Sequence, residues 1–184
     1  MAQRFGRGKT SAATSLVGKK AIMPKKLNSM RLLEREGIAY EVLHFPETIH
    51  CALDVADHFG IPASQVYKTL VLITAKRTPV LVIVPANQHI EIKHLSKILG
   101  DKTLRMATHN EAEAVTGLKV GGISALALRQ RQFPTYIDHR AARFETILIS
   151  AGQRGIDLRL RVADIVRVTG ATWVETALPA STLS

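Results

Sequence analysis

Val66-Tyr67-Lys68-Thr69-Leu70-Val71-Leu72-Ile73-Thr74 is a run of β-forming residues, followed after Ala75 to Pro79 by a second run, Val80-Leu81-Val82-Ile83-Val84. In the first run Val66, Leu70 and Leu72 fall on one face and Tyr67, Val71 and Ile73 on the other. A strand apolar on both faces belongs in the middle of a sheet covered on both sides, so the two runs predict a buried hairpin. Lys68 is the exception, because it shares a face with Val66, Leu70 and Leu72. Burial there penalises its ammonium unless an anion compensates.

Outward from this hairpin, helix and strand signals alternate. Towards the N-terminus, Asn28 or Ser29 is a plausible cap for a helix that stops at Gly37, Tyr40 to Phe45 alternates as a strand, and Ala52 to Phe59 is a helix closed by Gly60. Towards the C-terminus, Glu91 to Leu99 is an amphipathic helix that puts Ile92, Leu95, Ile98 and Leu99 on one side, with Lys93 and Lys97 facing away and Gly100 as its stop. Thr108 and Glu111 form a capping-box pattern opening a helix that Gly117 ends, and a loop with Gly121 and Gly122 follows. Thr135 to Asp138, Thr146 to Ile149 and Ile156 to Leu160 read as strands, the last two joined through Ser150 to Gly155. Val162 to Thr169 is a helix and Ala171 to Glu175 a final strand. Hairpins beside crossover helices predict one α/β domain built on a mixed sheet.

Composition bounds the function. The 184 residues are 46% hydrophobic and 22% charged, with 5% aromatics, which suits a globular protein with an aliphatic core. A single cysteine, Cys51, excludes an internal disulfide, and the seven histidines show no metal-ligand spacing, so no zinc site is expected. No apolar run approaches the roughly 20 residues that cross a bilayer, so no membrane partner is expected. The formal charge of +10 is unevenly placed: residues 1–30 hold seven basic side chains and no acid, while residues 31–184 hold 18 basic against 15 acidic ones. Residues 1–27 are therefore expected to form a basic, disordered extension, with the folded domain at 28–184. Within that domain Arg129, Arg131, Arg140, Arg143, Arg154, Arg159, Arg161 and Arg167 crowd one stretch, either as a basic surface or as a solvated face of mixed sign.

Three features can carry chemistry. Lys68 on its strand suits an anionic substrate or developing oxyanion charge, the alternative being a buried stem whose head reaches water. Gly121-Gly122-Ile123-Ser124 offers unhindered backbone donors, although turn chemistry explains it equally well. Ser150 and Asp157, at the two ends of Ser150-Ala151-Gly152-Gln153-Arg154-Gly155-Ile156-Asp157, could hold a polar ligand across a hairpin or simply cap a turn. Nucleophile-elbow, cysteine–histidine and paired-carboxylate patterns are missing, so covalent catalysis has no support, and His50 beside Cys51 reads as a helix entry.

In order and spacing, Gln65-Val66-Tyr67-Lys68-Thr69-Leu70, Val120-Gly121-Gly122-Ile123-Ser124 and Ile149-Ser150-Ala151-Gly152-Gln153-Arg154-Gly155-Ile156-Asp157-Leu158 resemble the signature segments of the YbaK/EbsC family of aminoacyl-tRNA deacylases. That family is related to the editing domain of bacterial prolyl-tRNA synthetases. The resemblance covers about residues 28–175 and implies a mixed β-sheet curled into a partly open barrel with flanking helices. It implies that Lys68 is the essential lysine, that Gly121, Gly122, Ile123 and Ser124 form the substrate-binding loop, that Ser150 and Asp157 are the polar pair, and that Phe45 and Met106 line the pocket. The implied protein is a cytoplasmic, metal-free and cofactor-free trans-editing enzyme. It cleaves the ester of a small amino acid mischarged on tRNA, Cys-tRNA(Pro) foremost, by water attack or by cyclisation of the substrate thiol in a lyase-type step. Mischarged aminoacyl-tRNA is then its partner, with prolyl-tRNA synthetase as a second. A non-catalytic tRNA- or synthetase-binding module and an EbsC-like regulator are the alternatives. One departure stands out: where relatives commonly follow the serine with proline and, two residues later, glycine, this chain has Ala125 and Ala127. A less restricted loop and relaxed amino-acid discrimination are expected.

Overall fold

The computed structural model describes residues 26–177. The basic extension expected at residues 1–27 lies, apart from Lys26 and Leu27, outside the described residues. Eight strands form one mixed sheet that does not close: β1 (Glu41–His44), β2 (Val66–Ile73), β3 (Pro79–Pro85), β4 (Arg105–Met106), β5 (Thr135–Asp138), β6 (Thr146–Gln153), β7 (Ile156–Arg161) and β8 (Thr172–Val174). Their spatial order is β1-β7-β6-β2-β3-β5-β8, and β4 adds to β2 off this path. β2 and β3 form the expected antiparallel hairpin at the centre, from Tyr67 opposite Pro85 to Ile73 opposite Pro79. The pairs β2–β6, β3–β5 and β5–β8 are parallel.

Five helices pack on this sheet: α1 (Asn28–Arg35), α2 (Ala52–Phe59), α3 (Ile92–Leu99), α4 (His109–Thr116) and α5 (Val162–Thr169). Glycines end four of them in the left-handed region, Gly60, Gly100, Gly117 and Gly170, the conformation a side chain with Cβ resists and glycine accepts. Thr108 and Glu111 complete the capping box of α4 in both directions. α1 departs from expectation. Its N-cap is Leu27 rather than Asn28 or Ser29, because the Ser29 hydroxyl donates instead to the Ala151 carbonyl and ties α1 to β6. Ile98, expected on the covered side of α3, is 49% exposed, since Leu95 alone of that helix is fully buried.

The two faces of β2 enter different cores. Tyr67, Val71 and Ile73 join the main core with Leu33, Ile137, Leu158 and Ile165. On the other face Val66 packs with Phe45, Val55 and Leu148 under α2, while Leu72 packs with Val82, Val84 and Leu95 under α3. Lys68 sits on the strand between these two satellite clusters.

The hairpin expected through Ser150 to Gly155 is tighter than the sequence suggests. β6 continues to Gln153 with an irregularity between Ser150 and Gln153, and Arg154-Gly155 alone makes the turn. Gly155 can occupy it because φ is +79° and an added Cβ would stand 2.9 Å from the Phe45 carbonyl oxygen.

Candidate active site

β2 has an interrupted outer edge, and this interruption makes the site. β6 pairs with β2 at Val66 and Tyr67 and then leaves it. β4 takes over only at Leu72 and Ile73, joined by a bond from the Ala107 amide to the Val71 carbonyl. The Gln65 carbonyl faces β6, accepting from Leu148, and the Val71 carbonyl faces β4. Main-chain direction alternates along a strand, so Thr69 turns its amide and carbonyl toward the gap between them. A cavity of about 440 Å³ opens at this gap, lined by Tyr67, Lys68, Thr69, Leu70 and Val71 from the strand, together with residues from other parts of the fold.

Of the residues expected to act together, Phe45, Lys68, Met106, Gly121, Ile123, Ser150 and Asp157 line this cavity. Gly122 and Ser124 stand behind its wall. A Cβ on Gly122 would lie 2.7 Å from the Arg154 amide nitrogen and 2.8 Å from the Gln153 carbonyl carbon, so the glycine lets the loop lie directly on the β6–β7 turn. Ser124 is fully buried, and its hydroxyl accepts from the Ala127 amide at 3.4 Å. The expectation that the glycine pair frees its amides needs correction at Gly122, whose N–H donates to the Lys119 carbonyl at 2.8 Å. His50, Cys51, Thr69 and His109 also line the cavity. The sequence reading left out all four as site residues, and only the strand-edge geometry reveals them.

Lys68 is half-buried and donates from Nζ to the Ala86 carbonyl at 3.0 Å. Burial lowers its pKa, with the nearby Cys51 opposing the shift. Cys51 is the N-cap residue of α2, as expected for a helix entry. Asp157 is 6% exposed and has no hydrogen-bond or ion-pair partner for its carboxylate among the described residues. Burial pushes its pKa up to about 7, because an ionised carboxylate loses its hydration there without compensation. Ser150 faces it across the β6–β7 ladder and accepts from the Gly152 amide at 3.3 Å. At the floor, burial and then the Asp138 carboxylate raise the pKa of Tyr67 well above its ordinary value, and its buried hydroxyl has no partner among the described residues.

The glycine loop is fixed from outside the cavity. Arg154 Nε donates to the Val120 carbonyl at 2.7 Å, and the Glu113 carboxylate accepts from the Val120 amide at 3.0 Å. The cavity thus joins a desolvated cation, an unpartnered carboxyl titrating near neutrality, a serine and a pinned backbone loop around an apolar wall. Such an array can orient a small polar acyl group, polarise a carbonyl and move a proton.

Comparison with known proteins places the chain among relatives. The sequence model of the aminoacyl-tRNA editing domain matches residues 46–168. A protein of Enterococcus faecalis, EbsC, provisionally named a Cys-tRNA(Pro)/Cys-tRNA(Cys) deacylase, is 34% identical over 153 residues, spanning 82% of this chain and 93% of its own. The proline–tRNA ligase of Aquifex aeolicus is 28% identical over 88 residues, which are 48% of this chain and 15% of the ligase. Among solved structures, one provisionally described as a trans-editing enzyme for prolyl-tRNA synthetase shares the fold with a TM-score of 0.73 at 22% identity, covering 83% of this chain and 96% of its own. No helix among the described residues is long and apolar enough to cross a membrane.

Proposed function

The chain belongs to the aminoacyl-tRNA editing domain family, and from that premise we propose that it is a cytoplasmic trans-acting deacylase that removes a small amino acid from mischarged tRNA, with Cys-tRNA(Pro) as its foremost substrate. The name of the Enterococcus relative supports that substrate, and the ligase match supports prolyl-tRNA synthetase as a partner. The observation that carries the reading is the convergence of Lys68, Ser150, Asp157 and Gly121 on one cavity beside the open edge of β2.

In this reading the terminal ribose enters at Lys68, whose ammonium holds the anionic or ribose end where screening is weak. The acyl group lies between Phe45, Met106 and Ile123, and Ser150 with Asp157 meets its polar atoms. The Gly122 amide is already engaged, so carbonyl polarisation falls to donors beside it, the Gly121 amide and the Thr69 edge amide. Water adds to the acyl carbon, its proton passes to the Asp157 carboxylate, and the tetrahedral intermediate collapses. The acyl-carbon-to-oxygen bond breaks, and the ribose oxygen leaves with a proton returned from Asp157. With cysteine as the acyl group, its own thiol can replace water as the nucleophile, giving up its proton to the same carboxylate. No metal or cofactor takes part in either route.

The deciding experiment offers Cys-, Ala-, Ser- and Pro-charged tRNA(Pro) and measures release of the amino acid. Rapid release of one small amino acid with Pro-tRNA(Pro) left intact is the expected result. Binding of tRNA without any release on the panel would favour the non-catalytic module.

A further inference from the structure

The arginines concentrated late in the sequence are distributed unevenly in the fold. Arg140 is committed to the buried Asp138, Arg161 to Asp164 and Arg159 to Glu41. Others line a continuous path that begins at the mouth of the cavity. Arg154 uses Nε to hold the Val120 carbonyl and lies against Gly121, a cavity-lining residue. No partner is recorded for its two terminal nitrogens among the described residues. Lys119 follows on the same loop, exposed and shared with Glu113. Arg131 comes next: its Nη1 donates to the Val115 carbonyl at the C-terminal end of α4, and its Nη2 approaches Gly117. Arg129 lies two positions earlier in the same 3₁₀ turn, Arg129–Arg131, and both arginines are exposed without an ion pair among the described residues. The path ends in a polar cleft of about 320 Å³ where Arg129 meets Arg35 and Arg167, with Gln130 and Gln132 on its wall. Among the described residues Glu36 is the one carboxylate lining that cleft; Arg35 and Arg167 pair with it, and Arg167 also reaches Asp164.

A basic strip leading away from a catalytic mouth fits a polyanion whose reacting end is inside. We infer that Arg154, Lys119, Arg131 and Arg129, ending in the Arg35–Arg167 cleft, form the track that seats the phosphates of the tRNA acceptor arm. This rests on the tRNA-deacylase reading and extends it to the nucleic-acid contact. Two features set the strip apart from a solvated surface of mixed sign. Arg154 and Arg131 are held by main-chain carbonyls, which fixes the guanidinium groups without an ion pair among the described residues, although Arg154 lies within the field of Glu113. Arg129 and Arg131 have no neutralising carboxylate among the described residues. Planar guanidinium forks on fixed stems suit phosphate oxygens, and each such contact releases counterions.

The test compares Arg129→Gln/Arg131→Gln with Lys93→Gln/Lys97→Gln, which removes two equally exposed charges from α3, away from the path. Two readouts are taken: affinity for uncharged tRNA across a salt series, and kcat and KM for deacylation of charged tRNA. Thermal melting verifies folding, and Arg129→Glu alone serves if the double variant melts early, since Arg129 makes no side-chain bond among the described residues. The track variant should bind tRNA at least about fivefold more weakly, with the slope of log affinity against log salt shallower by about two. KM should rise with kcat unchanged, as for an interaction made equally in ground and transition states. Equal losses in the α3 variant, or unchanged affinity and slope in the track variant, would overturn the inference. If the unaltered protein binds tRNA through the track yet releases no amino acid, the surface stands and the catalytic reading falls.

Discussion

Ser150 and Asp157 stand directly opposite one another across the β6–β7 ladder, at the last regular pair before the strands go out of register. Side chains of such a pair project from the same face, so the ladder itself holds hydroxyl and carboxyl together at the cavity. Asp157 has no partner among the described residues, and its pKa is pushed up to about 7 by burial. Its folded-state value therefore lies above its unfolded one. Below about pH 4 the carboxyl is protonated in both states and costs nothing. Between pH 4 and 7 the unfolded state ionises first, and stability declines; above pH 7 the full penalty is present.

Asp157→Asn removes that penalty. The variant should melt higher than the parent at pH 8, with a stability gain approaching about 4 kcal/mol at roughly 1.4 kcal/mol per unit of pKa difference between the folded and unfolded states, and at the same temperature as the parent at pH 3.5. Its deacylation should fall by at least about 100-fold. Melting curves at the two pH values check the first part. An Asn variant no more stable at pH 8 than at pH 3.5, relative to the parent, would mean that the carboxylate is solvated in the folded state.

A related limb should appear in the parent. Proton acceptance by Asp157 requires the carboxylate, so kcat/KM for deacylation should climb as pH rises through about 7 and then level off, after subtraction of uncatalysed ester hydrolysis. In Ser150→Ala the limb should persist at lower amplitude. A flat profile from pH 5.5 to 8.5 in the parent would remove Asp157 from proton transfer.

Lys68→Ala tests charge against packing. The ammonium is half-buried between two apolar clusters, its one side-chain bond among the described residues goes to the Ala86 carbonyl, and desolvation lowers its pKa. Losing that bond costs about 1 kcal/mol, part of which is regained by removing an unpaired charge from an apolar setting. The fold should survive with a small change in melting temperature, and deacylation should be lost. Turnover near the parental rate would sink the assignment of Lys68.

Much of this arrangement is legible in the sequence, and the boundary is physical. α2 and α5 have the bounds their periodicity predicts, and Gly60, Gly100 and Gly117 mark helix ends because the left-handed turn is a local requirement. Lys68 stands out for a similar reason, as a charge in an alternation of apolar residues. Thr69, His50 and His109 do not stand out, because their place in the cavity depends on β6 leaving β2 at Ile149 and β4 joining at Met106. Strand partners are chosen over more than 70 residues of intervening chain, as in Tyr67 with Ile149, and no local pattern encodes that choice. α1 fails at its cap for the same reason: Ser29 has a cap-forming side chain, but a distant carbonyl claims it.

Gly122 should be intolerant of any side chain. A Cβ there would meet two backbone atoms of the β6–β7 turn at 2.7 and 2.8 Å, and neither can rotate away as a side-chain end could. Gly122→Ala must part the glycine loop from Arg154, so it should cost about 1–3 kcal/mol of stability and displace Gly121 from the cavity. Gly60→Ala is the useful comparison. Its φ is +62° with nothing within 4 Å, so it should lose about 1 kcal/mol through strain alone and keep its activity. Equal activity in the two variants would show that the loop's close seat on the turn is immaterial to the reaction.

The two alanines after Ser124 separate flexibility from shape. Neither Ala125 nor Ala127 lines the cavity. Ala125 is 2% exposed in the main core, and the methyl of Ala127 stands 2.7 Å from where a Cβ of Gly152 would be. Both therefore act on substrate only through Ile123, the cavity residue just before them, by setting how firmly the loop is held. Ala125→Pro restricts the backbone at the start of the turn closed by the Leu128 amide on the Ser124 carbonyl. Ala127→Gly removes a methyl that fits there only because Gly152 carries no Cβ, leaving room in which the restricted turn can settle. The combined variant should discriminate more sharply among Cys-, Ala- and Ser-charged tRNA(Pro), while kcat/KM on the best substrate changes by less than about tenfold, or roughly 1.4 kcal/mol. Competition assays with the three charged tRNAs give the ratios directly. If the parent is already sharply selective and the double variant broadens or switches its preference, the alanines set the position of Ile123 by shape, and the flexibility argument is wrong.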